Sequence, residues 1–400
     1  MFYIGRVNMS IAIPGIMDEY GYTKTVMGVI LTALFGAYAF GQFVNGQLGD
    51  KFGGRIMVSL GLILSAVFNL LFGFSSILTA MVIIWALNGY VQSMGWAPTV
   101  KTVANWFPRR MRGRIGGILG SSYQIGNALS WLLAGLLAAY LDWRWLFYVP
   151  AIILAAAAVH WYVRGRNAPE VVGLPSLEEE EQGEMREEMS PDQHLGFRYT
   201  LRAVLSSPHI WCMAFGLFFL NIVRYGFMDW APTYMFEVQK AHISVAAYKA
   251  MAIPLAGSLG AIFACWLSYK DFHLRRAPAS AIMLLALVFF TWLFPQIPGA
   301  NWVASLAVLI MIGFLTYGPH VAIVTYAPMD FGTRKAAASA AGFIDGMGYI
   351  GAALTGVASG FLADHFGWNA AFYLWMGGAF GAAVLMLLIW NYRPKLTEYH

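Results

Sequence analysis

The sequence predicts an all-α membrane protein that crosses the bilayer twelve times, in two bundles of six helices. Hydrophobic residues make up 59% of its 400 residues and charged residues only 11%, whereas a soluble domain carries about 25% charged residues. Apolar runs of about 18 to 25 residues follow one another along the chain, and each can cross about 30 Å of hydrocarbon. The main hydrophilic stretch lies near the middle and separates two halves of similar length.

Each predicted span is an apolar run that ends at charged residues, glycine or proline. In chain order the spans cover 1–17, 25–48, 56–75, 78–104, 114–140, 145–163, 209–236, 245–268, 278–295, 301–325, 337–362 and 369–391. The first span is unusual, because only about 12 residues, or about 18 Å of helix, lie between Arg6 and its end near Asp18. We therefore expect helix 1 to be truncated at its cytoplasmic end, through an upstream start or a trimmed chain.

The hydrophilic stretch covers residues 164–208 and contains the acidic run LEEEEQGEMREEMSPD. Such a composition predicts a hydrated, partly disordered linker. It divides the chain into an N-terminal bundle, 1–163, and a C-terminal bundle, 209–400. Two helical halves joined by a central linker are the layout expected of a transporter that is built from repeats.

The two halves also resemble each other in sequence. Trp143 recurs as Trp368 in the second half, and Arg6 recurs as Arg224 at a similar spacing. Small differences in spacing are what changes in loop length produce. We therefore interpret the halves as an internal repeat.

Basic residues set the expected orientation. The loops after spans 2, 4, 6, 8 and 10, together with the C-terminus, contain most of the lysines and arginines. The opposite side receives only Lys24, Arg144 and Lys240. Because positively charged loops stay in the cytoplasm, we expect a multi-pass protein of the cytoplasmic (inner) membrane with both termini in the cytoplasm. The first residues belong to a span and do not form a cleavable signal peptide.

Two arginines lie inside predicted spans at equivalent repeat positions. Arg6 lies in IGRVNMSIAIPGI and Arg224 in FFLNIVRYGFMDWAPTY. A guanidinium at membrane depth costs a few kcal/mol even on the lenient insertion scales, so it must face a partner or a water-filled cavity. One alternative is that each arginine pairs with a helix carboxylate. Two planar guanidinium groups facing one cavity would instead bind a phosphate or carboxylate dianion.

Other chemistries find little support in the sequence. Cys212 and Cys265 both lie inside predicted spans, which indicates neither a disulfide framework nor a metal cluster. His320, beside Pro319, is more typical of a hydrogen-bonded packing histidine than of a proton relay. No HExxH, GxSxG or CxxC motif is present, and no predicted strand precedes a glycine cluster. We expect no enzyme activity, no cofactor and no nucleic-acid partner.

The loop between spans 2 and 3 carries a recognisable motif, GQLGDKFGGR at residues 46–55. It resembles the G-x-L-x-D-R/K-x-G-x-R/K loop of the major facilitator superfamily, and the resemblance implies the major facilitator fold. Its glycines permit a tight turn and close helix approach. A charged residue of the loop can bind a neighbouring helix end and so hold one state of a gate. The gate residues expected on this basis are Asp50, Lys51, Arg55, Asp271 and Arg276.

Within that superfamily the chain resembles the organophosphate:phosphate antiporters. The similarity covers nearly the whole chain and is clearest in YIGRVNMSIAIP, GWAPTVKTVANWF, VRYGFMDWAPTYM, IGFLTYGPH and RKAAASAAGFIDGMGYIGA. It implies that Arg6 and Arg224 bind phosphate. It also implies that Tyr3, Tyr317 and Tyr349 line the same cavity. The expected partners are a small anion and membrane lipid, and the expected state is a monomer.

Several positions depart from the pattern of the glycerol-3-phosphate carriers. Gln42 replaces a lysine on helix 2, and Tyr123 replaces a histidine on helix 5. In those carriers a lysine on helix 1 pairs with a carboxylate on helix 7. Here Val7 occupies the position of that lysine, and Asp229 is the carboxylate. Lys249 replaces a glutamate on helix 8. We therefore predict that Lys249 pairs with Asp229. The alternative is that the Lys249 side chain extends to the membrane interface.

Three functions are compatible with these residues. The first is an antiporter that exchanges a small organic phosphate for inorganic phosphate by alternating access. The second is a carrier of another organic anion, such as a carboxylate, coupled to a proton or sodium ion. The third is a transporter-like membrane receptor that senses sugar phosphate and signals to a kinase.

Overall fold

The computed structural model describes residues 1–107, 109–174, 206–270, 275–326 and 334–391. These ranges are almost entirely helical. The α-helices are α1 (Ile4–Tyr20), α2 (Lys24–Phe74), α3 (Leu78–Gln92), α4 (Trp96–Trp106), α5 (Arg109–Ala138), α6 (Trp145–Arg164), α7 (Pro208–Glu237), α8 (Ile243–Ala250), α9 (Ala252–Lys270), α10 (Arg276–Leu293), α11 (Trp302–Val321), α12 (Arg334–His365) and α13 (Trp368–Leu388). Short 3₁₀ segments follow α6 and α10, and a π-helical turn, Ala322–Tyr326, follows α11. Residues 175–205 of the predicted linker lie outside the described ranges.

The single helix α2 contains two of the predicted spans, because the chain turns back within it at Gly53. This residue has a φ of 76°, which favours glycine. The two ends of α2 return to the same end of the molecule. Tyr20, just before α2, donates a hydrogen bond of 3.5 Å to the carbonyl of Ser75, just after it.

Two other predicted spans are interrupted. Span 4 divides into α3 and α4, and span 8 divides into α8 and α9 at Met251. The first break is held to α2, because Asn45 donates a hydrogen bond of 2.6 Å to the hydroxyl of Ser93. Ser93 in turn donates to the carbonyl of Tyr90 at 2.7 Å. Hydropathy did not predict either break, because both lie within apolar runs.

The prediction of an all-α fold with twelve spans is confirmed, since helices occupy every predicted span. Within the described ranges, nine helical segments are long and apolar enough to cross a membrane. The remaining three spans coincide with α1, with the interrupted pair α3 and α4, and with α5. Helix α1 is 17 residues long, and α5 begins with four arginines among its first six residues.

An equivalent pair of hydrogen bonds supports the internal repeat. In the first half, the indole nitrogen of Trp143 donates to Glu19 at 2.8 Å. In the second half, the indole of Trp368 donates to Glu237 at 2.9 Å. Within each half, the bond joins the beginning of the sixth span of that half to the end of its first span. We call these contacts the first corner and the second corner.

The two halves contact each other closely where α2 crosses α12. A Cβ atom on Gly28 would collide with the backbone of Gly356, so the two helices touch through their main chains. The hydroxyl of Thr32 donates to the carbonyl of Ala353 at 2.5 Å and accepts from the amide of Val357 at 3.1 Å. This crossing leads to the end of the molecule where α1 passes into α2, which we call the closed end.

At the closed end, a carboxylate of the second half caps a helix of the first half. Asp364 accepts hydrogen bonds from the backbone amides of Lys24 and Thr25 at 3.1 and 2.7 Å, and from the Thr25 hydroxyl at 2.6 Å. The Lys24 ammonium lies 3.2 Å from Glu237 and 3.7 Å from Asp364. We call these four residues the Lys24 latch, because they join the two halves at the second corner.

Candidate anion-binding site

The position of Arg6 depends on a distortion at the start of α1. Gly5 has non-helical dihedral angles, and its carbonyl accepts hydrogen bonds from Asn69 at 3.1 Å and Asn88 at 2.9 Å. Both asparagines are fully buried. Gln92 holds the chain three residues earlier in the same way, since its amide donates to the carbonyl of Phe2 at 3.0 Å. Buried amides therefore fix the backbone that carries Arg6, and the sequence analysis did not identify them.

Arg6 is 9% exposed and lies among aromatic rings. Its guanidinium carbon is 4.5 Å from the ring centre of Tyr3 and 5.3 Å from that of Tyr38. Ring faces stabilise a cation but do not satisfy its N–H groups. The Nη1 nitrogen is buried and has no hydrogen-bond partner among the described residues.

Arg224, in the middle of α7, has a similar environment. It is 5% exposed, and its guanidinium carbon lies 4.9 Å from the ring of Tyr225 and 5.0 Å from that of Tyr317. Its Nε nitrogen is buried without a partner. A second cation therefore also presents an unused donor.

His320 differs from its interpretation as a packing histidine. Its Nε2 lies 2.9 Å from Nη1 of Arg224. Because a guanidinium can only donate, Nε2 must accept, and the ring is neutral with its proton on Nδ1. That Nδ1 is buried without a partner. His320 is therefore hydrogen-bonded, as expected, but it belongs to the same site as Arg224.

The two arginines, one from each half, share their neighbours. Arg6 lies over Tyr38, whose ring is 4.7 Å from that of Tyr349. The Tyr349 ring is in turn 6.4 Å from that of Tyr225, which lies beside Arg224. The ring of Tyr225 also lies 4.5 Å from Phe35 of the first half, centre to centre. One polar lining, formed by both halves, therefore surrounds both guanidinium groups.

The predicted tyrosines lie in this lining. Tyr349 is 4.7 Å from Tyr38 and 6.4 Å from Tyr225, measured between ring centres. Tyr123 stacks on Tyr3 at 6.2 Å and interacts electrostatically with Arg224. Sequence reasoning missed Tyr38 and Tyr225, although both lie beside positions that it selected.

Gln42 lies one helical turn beyond Tyr38 on α2 and is half-buried. Residues four positions apart share a helix face, so Gln42 faces the same side of α2 as a ring of the lining. No hydrogen bond joins it to another described residue. Its role in binding the substrate stays a prediction.

The chain matches a known family along most of its length. The Major Facilitator Superfamily matches residues 1–356 of the chain. The chain belongs to this superfamily. A glycerol-3-phosphate transporter of Bacillus subtilis is 33% identical over 402 residues, which cover 98% of this chain and 89% of the relative. A probable hexose phosphate transport protein of Chlamydia muridarum is 29% identical over 416 residues, covering 100% of this chain and 90% of the relative.

Solved structures show the same fold. A bacterial homologue of the human lysosomal transporter Spinster, in an inward-facing and occupied conformation, superposes with a TM-score of 0.77. The alignment covers 98% of this chain and 94% of that chain at 14% identity. The protein is therefore a multi-pass membrane transporter of the major facilitator fold, related to organophosphate transporters, and not an enzyme.

One prediction about this facilitator is wrong, because Asp229 and Lys249 form no ion pair. The Oδ2 atom of Asp229 is buried without a hydrogen-bond partner, and the charged groups that act on Asp229 are Arg6 and Arg224. Lys249, on the short helix α8, is 5% exposed, so its side chain is not extended to the surface either. The pairing was inferred from distance along the sequence, which does not determine how α8 is rotated about its axis.

The predicted gate residues are described only in part. Lys51 and Arg55 flank the turn at Gly53, and Arg276 begins α10. The backbone amide of Arg55 donates to Asn167 at 2.8 Å, and its Nε donates to the carbonyl of Tyr162 at 2.7 Å. Asp271 and the side chain of Asp50 lie outside the described residues. The gating role stays a prediction.

Proposed function

We propose that this protein exchanges a small organic phosphate for inorganic phosphate across the bacterial inner membrane by alternating access. One observation carries the proposal: two buried guanidinium groups, Arg6 and Arg224, one from each half, share a lining and each presents an unpartnered N–H. A buried donor without a partner costs about 1–3 kcal/mol. A phosphate supplies several acceptor oxygens and the opposite charge.

The same geometry supports exchange over one-way transport. Each half contributes one cation, so an anion that binds both would hold the halves together as they rotate about the site. Without the anion, closing the cavity would leave the unused donors of both guanidinium groups in a poorly solvated space. Empty reorientation is then slow, and the carrier returns only with a second anion. The names of the relatives favour phosphate over carboxylate as that anion.

The distribution of basic residues supports an assignment of the two faces. If the basic loops lie in the cytoplasm, the closed end is the external one. The Lys24 latch then prevents access from outside.

The test is exchange of labelled phosphate by purified protein in liposomes loaded with inorganic phosphate. We expect Arg6→Lys and Arg224→Lys each to reduce exchange at least about 30-fold, because an ammonium cannot form the paired hydrogen bonds of a guanidinium. The matched control is Arg144→Lys, which makes the same chemical change at the first corner.

Each alternative function has a distinct outcome in this assay. Exchange of a carboxylate but not of phosphate would support the organic-anion carrier and contradict the proposal. Phosphate binding that raises thermal stability, with no exchange of label, would support the sensor. Near-normal exchange by both lysine variants would contradict the assigned role of the arginines.

A further inference from the structure

The lining contains a carboxylate with no role so far, Asp345 of α12. It lies four residues before Tyr349, so the two side chains share one face of the helix. The side chain is half-buried, and no hydrogen bond or ion pair joins it to another described residue. The ring of Tyr349 lies 4.7 Å from that of Tyr38, so the shared helix face turns Asp345 toward the edge of the anion site. Its electrostatic interactions with Arg224, Tyr38 and Tyr349 agree with this position.

A second carboxylate, Asp229, already faces the cations. It interacts electrostatically with both arginines. Of the two arginines, only Arg224 acts on Asp345. Because Nη1 of Arg224 donates to His320, one nitrogen of its guanidinium group already has a hydrogen-bond partner before any substrate binds.

Binding of a phosphate between the arginines would place a like charge beside Asp345. A carboxylate in a poorly solvated wall needs a cation or hydrogen-bond donors. The tyrosine hydroxyls can supply donors, but the described part of the lining contains no further cation near Asp345. An ammonium on the substrate itself would pair with Asp345 while the phosphate binds the arginines.

We propose that Asp345 selects the organic part of the substrate by binding a primary ammonium, so that the preferred substrates are short aminoalkyl phosphates. This proposal rests on the proposed function, because it assumes that the phosphate group occupies the arginines. The substrate must be short, since Asp345 lies one helical turn from Tyr349, whose ring belongs to the lining that surrounds the arginines. A neutral sugar or polyol would leave the carboxylate beside the phosphate without a cation.

Three ligands of nearly equal size test the proposal: 2-aminoethyl phosphate, 2-hydroxyethyl phosphate and propyl phosphate. They differ only in the terminal ammonium, hydroxyl or methyl group. Each is measured as an inhibitor of labelled phosphate exchange by the wild-type protein. We expect the amine to bind at least about tenfold more tightly than either analogue, since hydrogen bonds between charged groups are the strong ones. Equal inhibition, or a preference for the hydroxyl, would overturn the proposal.

The variant Asp345→Asn assigns the effect to this residue. It keeps the shape of the side chain and removes its charge, so the preference for the amine should fall to within about threefold. Inorganic phosphate should bind at least about twofold more tightly, because a neighbouring like charge is gone. Asp18→Asn is the matched control, since Asp18 is exposed at the closed end.

The remaining outcomes separate the two proposals. If the variant keeps the preference for the amine, another carboxylate binds it and Asp345 does not. If the variant loses affinity for inorganic phosphate as well as for the amine, Asp345 acts by positioning the arginines and does not select the organic part of the substrate. If the variant does not fold, the wild-type ligand series still decides whether the amine is preferred. Wild-type protein that exchanges no phosphate would contradict the proposed function itself.

Discussion

The two corners of the molecule are built from the same parts and differ in how they are completed. In each corner, a tryptophan at the start of the sixth span of one half donates to a glutamate at the end of the first span of the same half. Trp143 donates to Glu19 in the first corner, and Trp368 donates to Glu237 in the second. This likeness follows from the internal repeat. The cation that completes each corner does not follow the repeat.

At the first corner the cation is Arg144, which belongs to the same half as its glutamate. At the second corner it is Lys24, which comes from the other half and also approaches Asp364. The first corner therefore stabilises one half, whereas the second joins the halves. Only the second has to break when the closed end opens, so repeated parts can serve different steps of a transport cycle.

The largest expected effect is from Asp364→Ala. It removes three hydrogen bonds to the start of α2 and one partner of Lys24, while the N-cap residue Thr23 stays in place. Side-chain bonds of this kind at a helix start contribute about 0.5–2 kcal/mol. We expect the equilibrium to shift about tenfold toward opening at this end, because a small free-energy difference separates the two states. The measurement is maleimide labelling of Thr32→Cys, at the crossing of α2 and α12, in a background without Cys212 and Cys265.

The matched control for this experiment is Glu19→Ala, which breaks the first corner. It should leave the labelling of position 32 unchanged, because the first corner joins no helices of different halves. Equal labelling of the two variants would remove the distinction between the corners.

A smaller effect is expected from Glu237→Gln. The amide oxygen can still accept from Trp368, but the ion pair with Lys24 is lost. Partly exposed ion pairs contribute about 0–1 kcal/mol, so labelling of position 32 should rise only two- to fivefold. An effect as large as that of Asp364→Ala would show that the ion pair, and not the hydrogen bonds to the start of α2, holds the end closed.

The smallest expected effect concerns pH at the first corner. Glu19 lies beyond predicted span 1–17, and its bond to the Arg144 guanidinium lowers the pKa of its carboxyl from 4.5 to about 2. The folded state therefore gains stability from the ionised group above about pH 4.5, and this gain is lost as the pH falls toward 2. Because the side chain is 38% exposed, the contribution is below about 1 kcal/mol.

Thermal unfolding between pH 6 and pH 3 measures this contribution. Glu19→Gln should flatten the decrease in melting temperature over that range by one to a few degrees. Glu237→Gln is the comparison at the second corner. If the melting temperature of Glu19→Gln fell as steeply with pH as that of the wild type, Glu19 would not be the group that makes this contribution.

Local properties of the sequence determined the fold class and the main site residues. Apolar runs of span length predicted all twelve spans, because the bilayer requires a minimum length of apolar helix. Arg6 and Arg224 could be found because an arginine in an apolar run is costly and therefore rare. Their recurrence in the repeat indicated that they act together.

Relations between helices could be determined only by the tertiary structure. Asn69 and Asn88 meet the carbonyl of Gly5, and His320 meets Arg224, from positions far apart in the chain. The prediction that Asp229 pairs with Lys249 was wrong for the same reason, because it depended on how two helices face each other. Hydropathy and spacing show that a helix exists, but its rotation and its crossing with other helices depend on side-chain packing along its whole length.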